Sequence, residues 1–324
     1  MKFYGNKLTL KLLKYGLLAP KNTYIFKGPK GLGKFIVAKR FAKSLLCFSP
    51  NEKNCNCISC KKYASGNHPD LIVVSPEGNS IKKEQVLELK RETSTNSLLS
   101  SRKIFLIDDA NTMTSSAQNA LLKTIEESFD FNIFIFISHG NLLSTVESRG
   151  EIYCFEPLSN SQVKHFLEDY TLDTFQKELV LTASQGSIGI AINLMQHETF
   201  KGFSSKIEQL YKLNTLSPLE MLKLFNLLKE KDKESFYEIY NEFIYEFLYI
   251  LKTFYMDIIK ASMKDVRHIS FKSHTAEYND IKDDYSIRSL NQLIALVDTA
   301  ISKYTSNKFT QNEFFDLIRG LSVI

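Results

Sequence analysis

The sequence predicts an α/β domain, a doubly wound parallel sheet carrying a phosphate loop, followed by an all-helical second half. Three observations predict it. Up to about Pro157, short apolar runs alternate with helical stretches, the pattern of strands joined by crossover helices. The run Gly28-Pro29-Lys30-Gly31-Leu32-Gly33-Lys34-Phe35 fits the phosphate-loop spacing G-x-x-x-x-G-K-[ST] as far as its lysine. All but one of the 13 glycines lie at or before Gly202, and Phe203 to Arg319 holds a single proline, Pro218. A stretch so free of breakers reads as helix.

The first element that matters is the strand Thr23-Tyr24-Ile25-Phe26, a β-branched and aromatic run that enters the glycine loop directly. After Lys34 a helix is expected through Leu46, with Val37, Ala38, Phe41, Ala42 and Leu45 at helical spacing and no Gly or Pro. Strand, loop and helix in this order point a helix N-terminus at an anion. In a working loop the backbone N–H groups cradle phosphates, the lysine neutralises them and the final hydroxyl ligates Mg²⁺. Here Phe35 occupies the hydroxyl's position, and Ile36 offers no substitute. Gly28, Gly31, Gly33 and Lys34 therefore outline a degenerate nucleotide site in which ATP and Mg²⁺ are expected to bind weakly or not at all.

Cys47, Cys55, Cys57 and Cys60 follow within fourteen residues. Four clustered thiols in a chain without a secretory signal favour a closed, structural Zn²⁺ site over disulfides. Cys57-Ile58-Ser59-Cys60 has the favoured two-residue gap, whereas Cys55-Asn56-Cys57 is one residue tighter, and free thiols are the alternative. His68 precedes Pro69 at the start of a strand and is not expected to ligate. Cys154 stands alone and is expected in the core.

The next strand, Ile104-Phe105-Leu106-Ile107, ends in Asp108-Asp109. A buried strand ending in a carboxylate, downstream of a phosphate loop, is where such ATPases hold Mg²⁺, and a second acid there acts as general base. Asp109 reaches less far than a glutamate. Arg102 and Lys103 just before it are expected to form a solvated turn. Ser115 and Gln118 have capping-box spacing and are expected to open a helix over 117–127, with Ala117, Leu121 and Ile125 on one face.

At these residues a resemblance becomes specific. Asp108-Asp109-Ala110-Asn111-Thr112-Met113-Thr114, followed by Ala117-Gln118-Asn119-Ala120-Leu121-Leu122-Lys123-Thr124-Ile125-Glu126-Glu127, resembles the bacterial clamp-loader subunits, AAA+ proteins of the DNA polymerase III holoenzyme. Leu142-Leu143-Ser144-Thr145-Val146-Glu147-Ser148-Arg149-Gly150 resembles their Ser-Arg-Cys motif, with Gly150 in the cysteine's place. The resemblance implies that Arg149 is an arginine finger reaching a neighbour's ATP. It also implies a four-cysteine zinc module after the phosphate-loop helix, followed by a segment like Gly66-Asn67-His68-Pro69-Asp70. In the lid, Gly186-Ser187-Ile188-Gly189 puts Gly189 where motor subunits carry a nucleotide-sensing arginine, and is similar to the delta-prime branch instead.

The resemblance implies three domains: residues 1–157 as the AAA+ domain with its zinc module at about 47–60, 158–200 as a helical lid, and 201–324 as a helical collar. The implied partners are gamma/tau motor subunits, a delta subunit, the sliding clamp and primer–template DNA. A gamma/tau-like motor with its own ATPase activity is the alternative. Net charge of +5 is mildly basic, and no basic–aromatic stripe flanks the cysteines, which disfavours a free-standing nucleic-acid module. The N-terminus lacks an apolar signal core and no apolar run is long enough to span a bilayer, so a cytoplasmic protein without a membrane partner is expected.

Overall fold

The computed structural model describes residues 4–50, 52, 55–78, 80–127, 129–142, 144–196, 235–306 and 310–323. The boundary at 200–201, Leu143 and residues 203–234 of the stretch expected to be helical lie outside the described residues. Two compact units divide at Leu158 and Ser159.

The first unit is a three-layer sandwich. Helix α1 (Lys7–Gly16) precedes β1 (Thr23–Lys27), and α2 (Lys34–Leu46) and α3 (Ile58–Ala64) precede β2 (Leu71–Val74). Then come α4 (Lys83–Thr93), β3 (Lys103–Ile107), α5 (Ser115–Glu126), β4 (Asn132–Ser138), α6 (Ser144–Glu147) and β5 (Glu151–Cys154). The five strands run parallel in the order β2-β3-β4-β1-β5. Alternate residues of the central strands β1, β3 and β4 feed opposite cores, as a sheet covered on both faces requires. Tyr24, Phe26, Leu106 and Ile135 pack with Val37, Phe41 and Leu45 of α2 on one face. Ile25, Phe105, Ile107 and Phe136 pack with Val86 and Leu89 of α4 and with Ala117 and Leu121 of α5 on the other.

Three local expectations are corrected. Helix α5 is capped by Thr114, not Ser115: Thr114 Oγ1 accepts from Ala117 N at 3.2 Å, and Gln118 turns inward to donate to Met113 O at 3.1 Å. Lys103 is no solvated turn residue. It starts β3, is buried, and its ammonium bonds Glu92 O, Glu92 Oε2 and Thr95 Oγ1 at 2.9, 2.7 and 2.6 Å. Cys154 is exposed rather than buried, because β5 is an edge strand whose inward residue is Tyr153.

The second unit is helical among the described residues: α7 (Asn160–Leu167), α8 (Thr174–Ser184), α9 (Ile188–Gln196), α10 (Ser235–Ser262), α11 (Thr275–Ile281), α12 (Ile287–Thr305) and α13 (Gln311–Val323). The nearly all-apolar stretch of α10 takes the interior place its composition requires, with Ile244, Leu248, Ile250 and Leu251 buried. It packs on α8 and α12. The polar segment Ser273–Asp280, between α10 and α12, forms most of α11, whose Tyr278 is fully buried. Asp257 fixes the chain before it by accepting from Ser270 N and Phe271 N and from Lys260 Nζ. Among the described residues no helix is long and apolar enough to cross a membrane.

Candidate nucleotide-binding loop, trans arginine and metal centre

The glycine loop leaves the carboxyl end of β1, between β4 and β5, where ligands of open parallel sheets bind. Its glycines have separate reasons. Gly31 and Gly33 take φ of 76° and 75°, left-handed values that suit glycine. At Gly28 a Cβ would stand 2.2 Å from Phe155 O, so the backbone just after β5 requires a glycine whether or not phosphate binds. Gly33 caps α2 without a side chain, so the first-turn N–H groups meet no side-chain acceptor there. Lys34 is 5% exposed and folds back on the loop, donating to Gly28 O at 2.5 Å and Pro29 O at 2.6 Å. Burial lowers its pKa to about 8, against the opposing pull of Asp109 and Asp108. Phe35, in the first turn of α2, packs against the core and carries the Lys39 ammonium 4.5 Å from its ring centre. The loop thus fits an anion but offers no metal hydroxyl, and Mg²⁺ does not fit it as it fits a complete phosphate loop.

Asp108 and Asp109 follow β3 as predicted, and their environments differ. Burial, then the charge of Asp109, raises the pKa of Asp108. Asp109 is held low chiefly by its hydrogen bond with His139, whose Nδ1 lies 3.1 Å from its Oδ1. Asp109 also adopts a left-handed φ of 46°, uncommon outside glycine. The acid at the position of a general base is therefore occupied by an imidazole. Sequence reasoning missed His139. The signal was topological: β4 lies between β3 and β1, so the residue after β4 must sit beside both the acidic pair and the loop. Asn111 Oδ1 fixes that turn by accepting from His139 N at 3.0 Å.

Arg149 lies elsewhere. Tyr24 pairs with Glu151, and a Cβ on Gly150 would touch Thr23 and Ile25. Arg149 is thus at the start of β1, while the loop leaves its end, roughly 20 Å along the strand direction at about 3.3 Å per residue. An arginine side chain does not span that distance to its own loop. The guanidinium is partly exposed, and its Nε donates to Glu126 Oε1 at 2.8 Å and Nη1 to Thr145 O at 2.7 Å. Gly150 is not an arbitrary loss of the cysteine, since Ile25 and Thr23 fill the space a side chain would need.

The four cysteines converge. The Sγ atoms of Cys47, Cys55, Cys57 and Cys60 all lie within 4.8 Å of one another. A tetrahedral Zn²⁺ with bonds of about 2.3 Å sets sulfurs about 3.8 Å apart, so the group fits. Backbone N–H groups already address the sulfurs as they would thiolates: Cys60 N to Cys57 at 3.5 Å and Ser49 N to Cys47 at 3.4 Å. The Cys60 N–H, then that of Phe48, pulls the Cys57 thiol down to about 6, while burial pushes Cys60 up to about 12. A bound dication offsets the cost of ionising the buried thiol.

His68 does not ligate. Its Nδ1 accepts from Asp70 N at 3.1 Å, so Nε2 carries the proton and donates to Ser59 Oγ at 2.9 Å. Asp70 in turn accepts from Leu98, Leu99 and Ser100 N at 2.6, 2.9 and 2.7 Å. Ser59 and Ser100 both donate to Leu46 O. This buried set ties the cysteine helix α3 to the sheet through the segment Gly66–Asp70.

In the second unit, Gln185 and Gly186 take left-handed φ of 47° and 82° and end α8. Ser187 Oγ then accepts from Ile190 N at 3.2 Å and opens α9. Gly189 stands in the first turn of α9, with no side chain to offer a nucleotide.

Comparison with known proteins agrees with these features. A family model described as "DNA polymerase III, delta subunit" matches residues 12–159. The chain is 33% identical over 195 residues to DNA polymerase III subunit delta' of Bacillus subtilis (strain 168), covering 59% of each chain. It is 27% identical over 254 residues to subunit tau of the same organism, covering 74% of this chain and 45% of that one. It is 36% identical over 134 residues to subunit delta' of Pseudomonas aeruginosa, covering 40% and 41%. The chain thus spans less than two thirds of the length of these curated relatives. Among solved structures, a gamma subunit-related protein of Thermotoga maritima shares the fold at a TM-score of 0.51 and 16% identity, over 97% of both chains.

Proposed function

The chain belongs to the DNA polymerase III clamp-loader family of AAA+ proteins, and from that premise we propose that it acts as a delta-prime-type subunit. It joins gamma/tau motor subunits and a delta subunit, and supports the ATP-driven loading of a sliding clamp onto primer–template DNA. Its own loop turns over little or no ATP. Its contribution to chemistry is Arg149, which enters the ATP site of a neighbouring motor subunit and spreads positive charge over the transferring phosphoryl group.

The observation that carries this reading is a contrast within one sheet. At the carboxyl ends of the strands, the phosphate loop has Phe35 for a metal-binding hydroxyl, and Asp109 is engaged by His139. At the opposite ends, Arg149 is retained at the surface, away from its own loop. Gly189 in the proposed lid supports the same reading, because a lid that contributes no arginine cannot report on a nucleotide held in cis. We further assign residues 158–200 to the lid and 201–324 to a collar that packs in the assembled ring.

The metal centre would hold Zn²⁺ through Cys47, Cys55, Cys57 and Cys60. When bound, it supplies a closed structural crosslink and no catalytic position. Among the chain's own residues, His68, Asp70, Ser59 and Ser100 brace that module against the sheet.

Mixing the purified chain with clamp-loader motor and delta subunits tests the assignment. A stable complex on size-exclusion chromatography, with no ATP turnover by the chain alone, is expected. Turnover by the isolated chain would favour a motor subunit instead.

A further inference from the structure

We propose that Glu126 is the positioning residue of Arg149, holding the guanidinium so that its terminal N–H groups face an oxyanion from outside the chain. This rests on the reading of Arg149 as a trans finger. Glu126 is the last residue of α5, and its Oε1 accepts from both Nε and Nη2 of Arg149. Thr145 O, at the start of α6, accepts from Nη1, and Ser148 Oγ stands 3.5 Å from the same nitrogen. A guanidinium has five N–H donors in a rigid plane. The bonds to Glu126 and Thr145 take three of them, and Ser148 Oγ at 3.5 Å holds a long fourth on Nη1; one N–H on Nη2 is left free, and an oxyanion can take the fourth from Ser148.

Two elements thus fix the plane from two sides. The pair is too exposed, at 37% and 49%, to matter much for folding. Its value is orientation: an unrestrained arginine samples many rotamers, and a misplacement of about 1 Å costs a reaction up to about a hundredfold. The carboxylate also partly offsets the finger's charge until an oxyanion competes for it. Among the described residues, no other anionic group bonds Arg149.

The test uses the full-length chain in the assembled loader and follows ATP hydrolysis at the adjoining motor site. Glu126→Gln is expected to lower the maximal rate about tenfold, with KM for ATP and complex assembly unchanged. Glu126→Asp should recover part of that loss. The double variant with Arg149→Ala should be no slower than Arg149→Ala alone, because both act through one group. The thermal midpoint of Glu126→Gln should match the parent's. Wild-type turnover in Glu126→Gln beside a slow Arg149→Ala would overturn the proposal and leave the trans finger standing. So would slowing that multiplies in the double variant. Wild-type turnover in Arg149→Ala would remove the finger itself, and the positioning role with it.

Discussion

Replacing Lys34 with methionine is expected to stabilise the isolated chain at neutral pH, although it removes the residue most typical of a phosphate loop. The magnitude follows from its surroundings. At 5% exposure the ammonium is nearly withdrawn from water, and burial lowers its pKa from 10.5 to about 8. A displacement of that size corresponds to about 3 kcal/mol of preference for the neutral amine in the folded state. The bonds to Gly28 O and Pro29 O return about 1 kcal/mol each. Lys34→Met should therefore gain about 1–2 kcal/mol at pH 7. The sign with pH is fixed by the folded pKa lying below the unfolded one. Between about 8 and 10.5 the unfolded chain binds more protons, so the parent gains stability as pH rises and the variant does not. The gap should be widest below pH 8, close at about pH 9 and reverse by about pH 10.5. Urea titrations of both proteins at pH 7, 8.5 and 10, followed by circular dichroism, measure it. A variant less stable than the parent at pH 7, or a gap indifferent to pH, would refute the reasoning.

Other expectations concern the metal, the brace and the motif glycine. Metal analysis of the purified chain should find one zinc per molecule, and none in Cys47→Ser/Cys60→Ser; an undiminished zinc content in that variant would exclude the four-cysteine site. Asp70→Asn leaves one of three backbone N–H groups facing a donor, and should cost about 2–4 kcal/mol in urea denaturation. Gly150→Cys should cost about 1–3 kcal/mol, because its Cβ would stand 2.9 Å from Ile25 and Thr23. Adding Ile25→Ala should return less than it costs by itself, a coupling that thermal melts of the single and double variants can detect.

Much of the sheet domain was legible because its signals are local. Strand β1, the glycine loop and α2 follow one another with spacing that tolerates few alternatives, and Asp108 and Asp109 fall at the end of β3 as the pattern requires. The cysteines were legible by count and proximity alone. What escaped depended on neighbours distant in sequence. Cys154 looked like core because an apolar strand does not announce that it lies on an edge. Lys103 looked solvated because the acceptors that bury it, Glu92 and Thr95, belong to α4 and the turn after it. Thr114 and Ser115 are equally good caps by chemistry, and backbone geometry chose between them. His139 carries no motif; only the strand order brings it to Asp109. The reading of Gly28 changes most, since contact with Phe155 requires glycine there independently of any phosphate.

The central claim is that this chain acts on a neighbour's nucleotide and not on its own. Hydrolysis at the adjoining motor site of the assembled loader, measured with Arg149→Ala and with Lys34→Ala, tests it most directly. Arg149→Ala should slow that site by about 10³-fold or more, and Lys34→Ala should leave it within about twofold of the parent. A large loss with Lys34→Ala and none with Arg149→Ala would contradict the account.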